Sequence, residues 1–187
     1  GKCGNNVTRP IMESVADIHR DAKLPEYSSQ PFADKTTAPV VNKDAPAYGR
    51  KAVLYATCFA NYNNPHIGDA ARAVLAKNGV ETEVVYPRCC GMPQLEQGDI
   101  AAVAESAKQT SADLMPWIEK GYDGIALVPS CALMLKFEWP LLVTDDENVT
   151  KLSTATSDIT EYIVGIAKNE GLADGIKALD GGVTVHI

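Results

Sequence analysis

The sequence is short of positive charge, of aromatic residues and of long apolar runs, and these shortages close off classes of function. Seventeen Lys and Arg stand against 24 Asp and Glu, a net charge of −7. A chain so balanced lacks the basic footprint that neutralises phosphates, so nucleic acid is not an expected partner. No stretch approaches the roughly 18 consecutive apolar residues of a membrane-spanning helix. Residues 1–20 hold no apolar segment of the kind that forms a secretory signal. There is no Walker loop, no G-x-G-x-x-G after the first expected strand and no H-E-x-x-H, so NAD binding has no support. Aromatic residues make up only 6%. Of the three histidines, His66 reads as a capping or surface residue, and His19 and His186 have weaker claims still as ligands. What is present suits a folded chain. Hydrophobic residues are 45% and charged residues 22% of the 187, enough for one sizeable core and too apolar for disorder.

The pattern along the chain predicts an N-terminal arm and an α/β domain. Residues 1–48 form the arm. Thr8 is placed as a helix N-cap with Pro10 in the first turn, Ile11, Val15, Ile18 and Ala22 recur at helical spacing, and Pro25 stops the helix. A Pro-rich strap then carries Pro31, Pro39 and Pro46. Residues 49–187 form the domain. AVLYAT (52–57), TEVVY (82–86) and DGIALV (123–128) are apolar runs suited to buried parallel strands. Between them, residues 66–78 and 98–120 carry apolar stripes of helical period, closed by Gly79 and Gly121. A short helix is expected from Cys131 to Trp139, a looser stretch over 140–157, a helix from Ile159 capped by Asp158 or Ser157, and a fourth strand at GVTVHI (182–187). The alternation predicts a Rossmann-like parallel sheet flanked by helices.

Five cysteines, an odd number in an acidic chain, argue against a disulfide framework and for a reducing, cytoplasmic setting. Cys58 follows the first strand, Cys89 and Cys90 the second, and Cys131 the third. In a parallel sheet the loops after all strands share one edge, where such sheets bind ligands. Four thiols distant in sequence are therefore expected to meet. Clustered thiolates repel one another unless a cation lies among them, and soft sulfur ligands select iron–sulfur clusters, zinc or Cu(I). Adjacent residues on a regular strand point to opposite faces, so the Cys89–Cys90 pair needs a turn to reach one centre, and Gly91 supplies it. A centre with several iron atoms takes two neighbouring ligands more readily than a single zinc. Thiol chemistry through a Cys89–Cys90 disulfide is a further reading, weakened by the lack of C-x-x-C. Cys3 is read as incidental. Arg88 either offsets thiolate charge or is simply exposed. Trp117 and Trp139 are read as core or interface residues. Glu96, Asp99, Asp145, Asp146 and Glu147 are read as solvated surface.

The series Cys58, Cys89-Cys90-Gly91 and Cys131 resembles the cysteine-rich CCG domain. That domain occurs in heterodisulfide reductase, in the iron–sulfur subunit of anaerobic glycerol-3-phosphate dehydrogenase, and in iron–sulfur subunits of lactate and glycolate oxidising systems. The strings YATCFANYNNP, YPRCCGMPQLEQGD and VPSCALMLKFEWP look most like the anaerobic glycerol-3-phosphate dehydrogenase type. The arm TRPIMESVADIHRDAKLP resembles the segment that follows the ferredoxin-like domain there. The resemblance implies an iron–sulfur cluster, [4Fe–4S] in type, held by Cys58, Cys89, Cys90 and Cys131; the alternative is a zinc-binding or apo structural scaffold, and N–H groups near Gly91 and at the helix start after Cys131 are expected to hydrogen-bond the sulfurs. It implies an electron-transfer module of a multi-subunit oxidoreductase. Its partners would be a flavin dehydrogenase subunit and other iron–sulfur domains, its acceptor a quinone or similar, and any membrane contact would come through a partner. It also implies one half of a longer two-repeat subunit, with VTVHI leading towards a second repeat. The fullest CCG motif ends C-x-x-C. Here Met134 stands at the last position and is read as packing.

Overall fold

The structure is a computed structural model that describes residues 6–35, 37–175, 177 and 180–184. Three apolar runs form strands at the expected places: β1 (Lys51–Tyr55), β2 (Glu81–Val85) and β3 (Asp123–Ala126). They pair in parallel in the order β2-β1-β3, with a fourth strand, β4 (Thr156–Asp158), at the β3 edge. The fold is α/β, as the alternation predicted.

Strand periodicity divides the core. Val53 and Tyr55 of β1 and Ala126 of β3 point to one face, Ala52, Leu54 and Ile125 to the other. The first face is covered by α4 (Ile100–Ile118), by α5 (Pro129–Leu133), a π-helical turn (134–138) and α6 (Trp139–Leu142), and by α7 (Glu147–Ala155). The second is covered by α2 (Pro65–Lys77) and α8 (Ile159–Asn169). A short helix α3 (Met92–Glu96) links β2 to α4. Cys90 and Cys131 belong to the first face.

Several expectations need correction. The fourth strand is Thr156–Asp158, inside the stretch read as loose, and α7 fills most of the rest of it. Residues 182–184 carry no strand, and the remainder of the expected one, with His186, lies outside the described residues. So does Cys3. The arm helix α1 (Thr8–Ala16) ends well before Pro25, at Asp17 in the left-handed region (φ 52°), and its N-cap is Val7 rather than Thr8. Asp99 and Asp146, read as surface charge, are N-caps: Asp99 accepts from the Ala102 N–H, and Asp146 from Asn148 and Val149. Asp158 caps α8 as expected, accepting from Thr160 and Glu161.

The strap is fastened to the body rather than hanging from it. Phe32, in a 3₁₀ turn (Phe32–Asp34), is fully buried in the second-face core. Its ring lies against Gly68 of α2, where an added Cβ would come within 2.5 Å of ring carbons. The Ala33 N–H donates to Asn61 Oδ1, and the buried guanidinium of Arg72 donates to the Thr37 carbonyl. The bond to Asn61 reaches the segment just after Cys58.

Gly68→Ala should therefore destabilise the fold by about 1–3 kcal/mol, measured by urea unfolding. Phe32→Ala should cost about 3–5 kcal/mol. In the double variant the two losses should fall well short of additive, because the methyl then fills the space the ring left. Full additivity would mean that ring and helix do not touch.

Candidate metal centre

The strands end level. Tyr55 of β1 lies opposite Val85 of β2 and Ala126 of β3, so the loops carrying the cysteines leave the sheet at one height. The four thiols meet there in a line of contacts. Cys58 Sγ is 3.9 Å from Cys89 Sγ, Cys90 Sγ is 3.3 Å from Cys131 Sγ, and Cys89 and Cys90 also hydrogen-bond through their side chains. Cys58 and Cys89 are half-buried, while Cys90 and Cys131 are 2% and 5% exposed. β1 sits between β2 and β3, and the chain winds to one side and then the other, so the thiols gather beside the point where the winding reverses.

The turn between β2 and α3 is held by its carbonyls. Tyr55 Oη donates to the Arg88 carbonyl at 2.6 Å, Ser106 Oγ to the Cys89 carbonyl at 3.0 Å, and Trp139 Nε1 to the Cys90 carbonyl at 3.1 Å. Three consecutive acceptors are thus tied by side chains from β1, α4 and α6. The N–H groups turn the other way: Gly91 donates to the Cys89 sulfur, Met92 to Cys90 and Phe59 to Cys58. Gly91 reaches this geometry at φ 86°, a left-handed conformation that side-chain-bearing residues rarely adopt.

Cys58 has its own support. Thr57, buried and β-branched, lies at φ 60°, a strained conformation that surrounding structure must impose. Its Oγ1 accepts from the Ala60 N–H and its carbonyl from Asn61, starting a π-helical turn over Phe59–Asn63. A second π-helical turn, Met134–Glu138, follows Cys131. Such turns concentrate at functional sites.

Three of the thiols hold their protons more tightly than an ordinary cysteine. The side-chain hydrogen bond with Cys131, aided by burial, pushes Cys90 up to about 12. Cys89 is raised further by its bond with Cys90 and by burial, and Cys58 by burial and by Cys89. Tyr55 and Tyr86 are raised by burial first and then by the neighbouring cysteines, which puts both phenols beside the thiols.

The other candidates fall outside the cluster. Arg88 pairs with Asp113 at 2.8 Å, His66 and His19 are exposed, and Met134 is fully buried in the core. Trp139 is core as expected, but its hold on Cys90 was not foreseen, nor were the roles of Tyr55, Ser106 and Thr57. Only the φ of Thr57 leaves no trace in residue type; the three donors lie 33, 17 and 49 residues from their acceptors, beyond any local pattern.

Among the described residues no three His, Cys, Asp or Glu side chains are grouped as a ready-made single-ion site. Tetrahedral zinc needs its ligands around one point. Sulfurs strung in two neighbouring pairs suit a polynuclear centre, in which different metal atoms take different thiolates. The all-cysteine donor set and the N–H groups on the sulfurs fit such a centre. The fold and these four thiols define a cysteine-rich α/β domain. Residues 52–136 match the family described as CCG, cysteine-rich domain, and that stretch holds all four clustered cysteines. The chain is also similar to lactate utilization protein A of Bacillus cytotoxicus, Bacillus cereus and Bacillus thuringiensis, at 28% identity over 141 residues in each case. The match covers 73% of this chain and 56% of each relative, so the chain spans little more than half the length of the curated relatives it matches. No solved structure matches the chain significantly.

Because the folded chain holds the Cys90 proton more tightly than an ordinary thiol of pKa 9.0, stability from this group is present below about pH 9 and is lost as pH rises towards 12. The urea midpoint of the metal-free, reduced protein should fall between pH 8 and pH 11. Cys90→Ser should flatten that fall. An identical fall in the variant would place the sensitive group elsewhere.

Proposed function

We propose that the chain is an iron–sulfur electron-transfer module of an oxidoreductase system. The observation that carries this reading is the contiguous line of four cysteine sulfurs at one sheet edge. Cys58, Cys89, Cys90 and Cys131 would hold the centre, a [4Fe–4S] cluster. When bound, the cluster supplies one-electron chemistry at a potential set by its surroundings. The chain's own residues supply those surroundings. N–H groups of Gly91, Met92 and Phe59 stabilise negative charge on the sulfurs. Trp139, Met134 and Leu135, all buried, exclude water from the inner side. The Tyr55, Ser106 and Trp139 hydrogen bonds fix the turn, so its dipoles need not reorient when charge changes.

Electrons would arrive from a flavin dehydrogenase partner, with other iron–sulfur domains in the same assembly, and leave towards a quinone or other acceptor. The name of the relatives, lactate utilization protein A, agrees with a hydroxy-acid-oxidising system. A partner would find an apolar landing beside the site: Phe59 and Tyr62 after Cys58, and Leu133 and Phe137 after Cys131, are 39–57% exposed. Among the described residues no helix is long and apolar enough to cross a membrane; any membrane contact would come through a partner. The arm and the domain of residues 49–187 would belong to one subunit of that assembly.

Anaerobic reconstitution with iron and sulfide should give a brown protein with the iron and sulfide content of a [4Fe–4S] cluster and an EPR signal on reduction. Cys89→Ser and Cys131→Ser should lose most of the bound iron. Trp139→Phe should keep the ligands but hold iron roughly tenfold or more weakly. Stoichiometric zinc without sulfide, or full electron-transfer activity without metal, would overturn the reading.

A further inference from the structure

We propose that in the cluster-free protein Cys58 and Cys89 act as a redox pair, which a two-electron oxidant of the hydroperoxide class joins in a disulfide across their two loops while Cys90 and Cys131 stay reduced. The four thiols are not equivalent. Cys58 and Cys89 are half-buried with sulfurs 3.9 Å apart, so one of them meets solvent while the other waits in reach. Cys90 and Cys131 are closer, at 3.3 Å, but sit 2% and 5% exposed within the core that Trp139 and Met134 close. An oxidant from solvent meets the outer pair first.

The adjacent pair is the competing product, and the clamp opposes it. A Cys89–Cys90 bridge closes an eight-membered ring around one peptide unit and strains its planar trans form. The carbonyl of that unit is held by Ser106, and its neighbours by Tyr55 and Trp139. The Cys58–Cys89 bridge needs only side-chain rotation and a small approach of two loops. The chemistry balances. With hydrogen peroxide as the oxidant, one sulfur attacks the peroxide, forming an S–O bond as the O–O bond breaks and water leaves. The second sulfur then attacks the first, forming S–S and breaking S–O, and a second water leaves with the two thiol protons accounted for. Two electrons pass from two thiols to one peroxide.

The bridge removes two of the four candidate ligands at once, so the oxidised chain would need reduction before loading. That consequence rests on the iron–sulfur reading; the disulfide does not.

Trypsin separates the three cysteine segments, cutting the chain into peptides 52–72, 89–108 and 121–136. The reduced, cluster-free protein is treated with hydrogen peroxide, blocked with iodoacetamide and mapped without reduction. The expected product joins 52–72 to 89–108 with loss of two hydrogens, and dithiothreitol reverses it. In Cys58→Ser the cross-linked product should vanish with no bridge in its place. A bridge inside 89–108, a link between 89–108 and 121–136, or oxygenated cysteines without a bridge would each overturn the proposal. Iron and sulfide are then offered before and after reduction. A bridged chain should take up little and recover at least tenfold on reduction. A reduced chain that forms the bridge yet never binds iron would sink the iron–sulfur reading and leave the pair standing; a chain that binds iron but never forms the bridge would do the reverse.

Discussion

The site depends on three parallel strands ending at the same level. Tyr55, Val85 and Ala126 lie across from one another, and the cysteines follow within five residues of each strand end. Hydrogen-bonded neighbours lie about 5 Å apart, so loops leaving adjacent strands on one side have no room to diverge before they reach a cysteine. Nothing local draws Cys131 to Cys90, 41 residues earlier. Both are carried by a backbone ladder that knows only strand direction and register. An antiparallel β3 would put Cys131 at the opposite end of the sheet with no change in composition.

The turn that carries the vicinal pair divides the two ends of the peptide dipole. The carbonyls of Arg88, Cys89 and Cys90 are bound to a phenol, a hydroxyl and an indole, and the N–H groups of Gly91 and Met92 reach the sulfurs. Each hydrogen bond contributes only about 1 kcal/mol net. Their arrangement matters more than their sum. With every oxygen already engaged and turned away, the face presented to the sulfurs is positive, and a buried anionic centre needs such a face. In its metal-free form the same pocket stores its charge as protons on raised thiols. A soft cation would displace those protons, so its binding strengthens as pH rises.

The sequence disclosed what short-range pattern can disclose. Strands buried on both faces are apolar runs, and AVLYAT, TEVVY and DGIALV announce themselves. Cysteines directly after such runs imply the shared edge. β4 was missed because it is three residues long, reads Thr-Ser-Asp, and among the described residues pairs only with β3, so no apolar run is required of it. The apolar GVTVHI looked the better strand for the same reason. The Pro-rich segment read as an extended strap or linker because prolines advertise extension, while Phe32, the residue of it that is most deeply buried, has no periodic companions. Asp99 and Asp146 looked like surface charge because capping depends on where a helix begins, which is the least legible boundary of an element. The clamp was invisible for a different reason. Tyr55, Ser106 and Trp139 are ordinary residues at ordinary core positions, and only the assembled fold brings their donors to three successive carbonyls.

Met134 shows how the asymmetry of the site follows from packing. It occupies the position where a C-x-x-C ending would place a further cysteine, and it is fully buried against the same core as Cys90, Cys131 and Trp139. The inner side is therefore closed by a thioether and an indole. On the outer side Cys58 and Cys89 are half-buried, flanked by the edge-on rings of Tyr62 and Tyr86 at 5.4 Å and by exposed Phe59. Two sulfurs thus look inward to a rigid wall and two look outward to an apolar rim. Any exchange with the surroundings, of electrons, protons or metal, has to cross the outer pair. The segment after Cys58 that shapes this rim is the one to which the strap is tied through Asn61 and Ala33. A displacement of the arm would therefore be felt first at Cys58, while Cys90 and Cys131 remained held by the core.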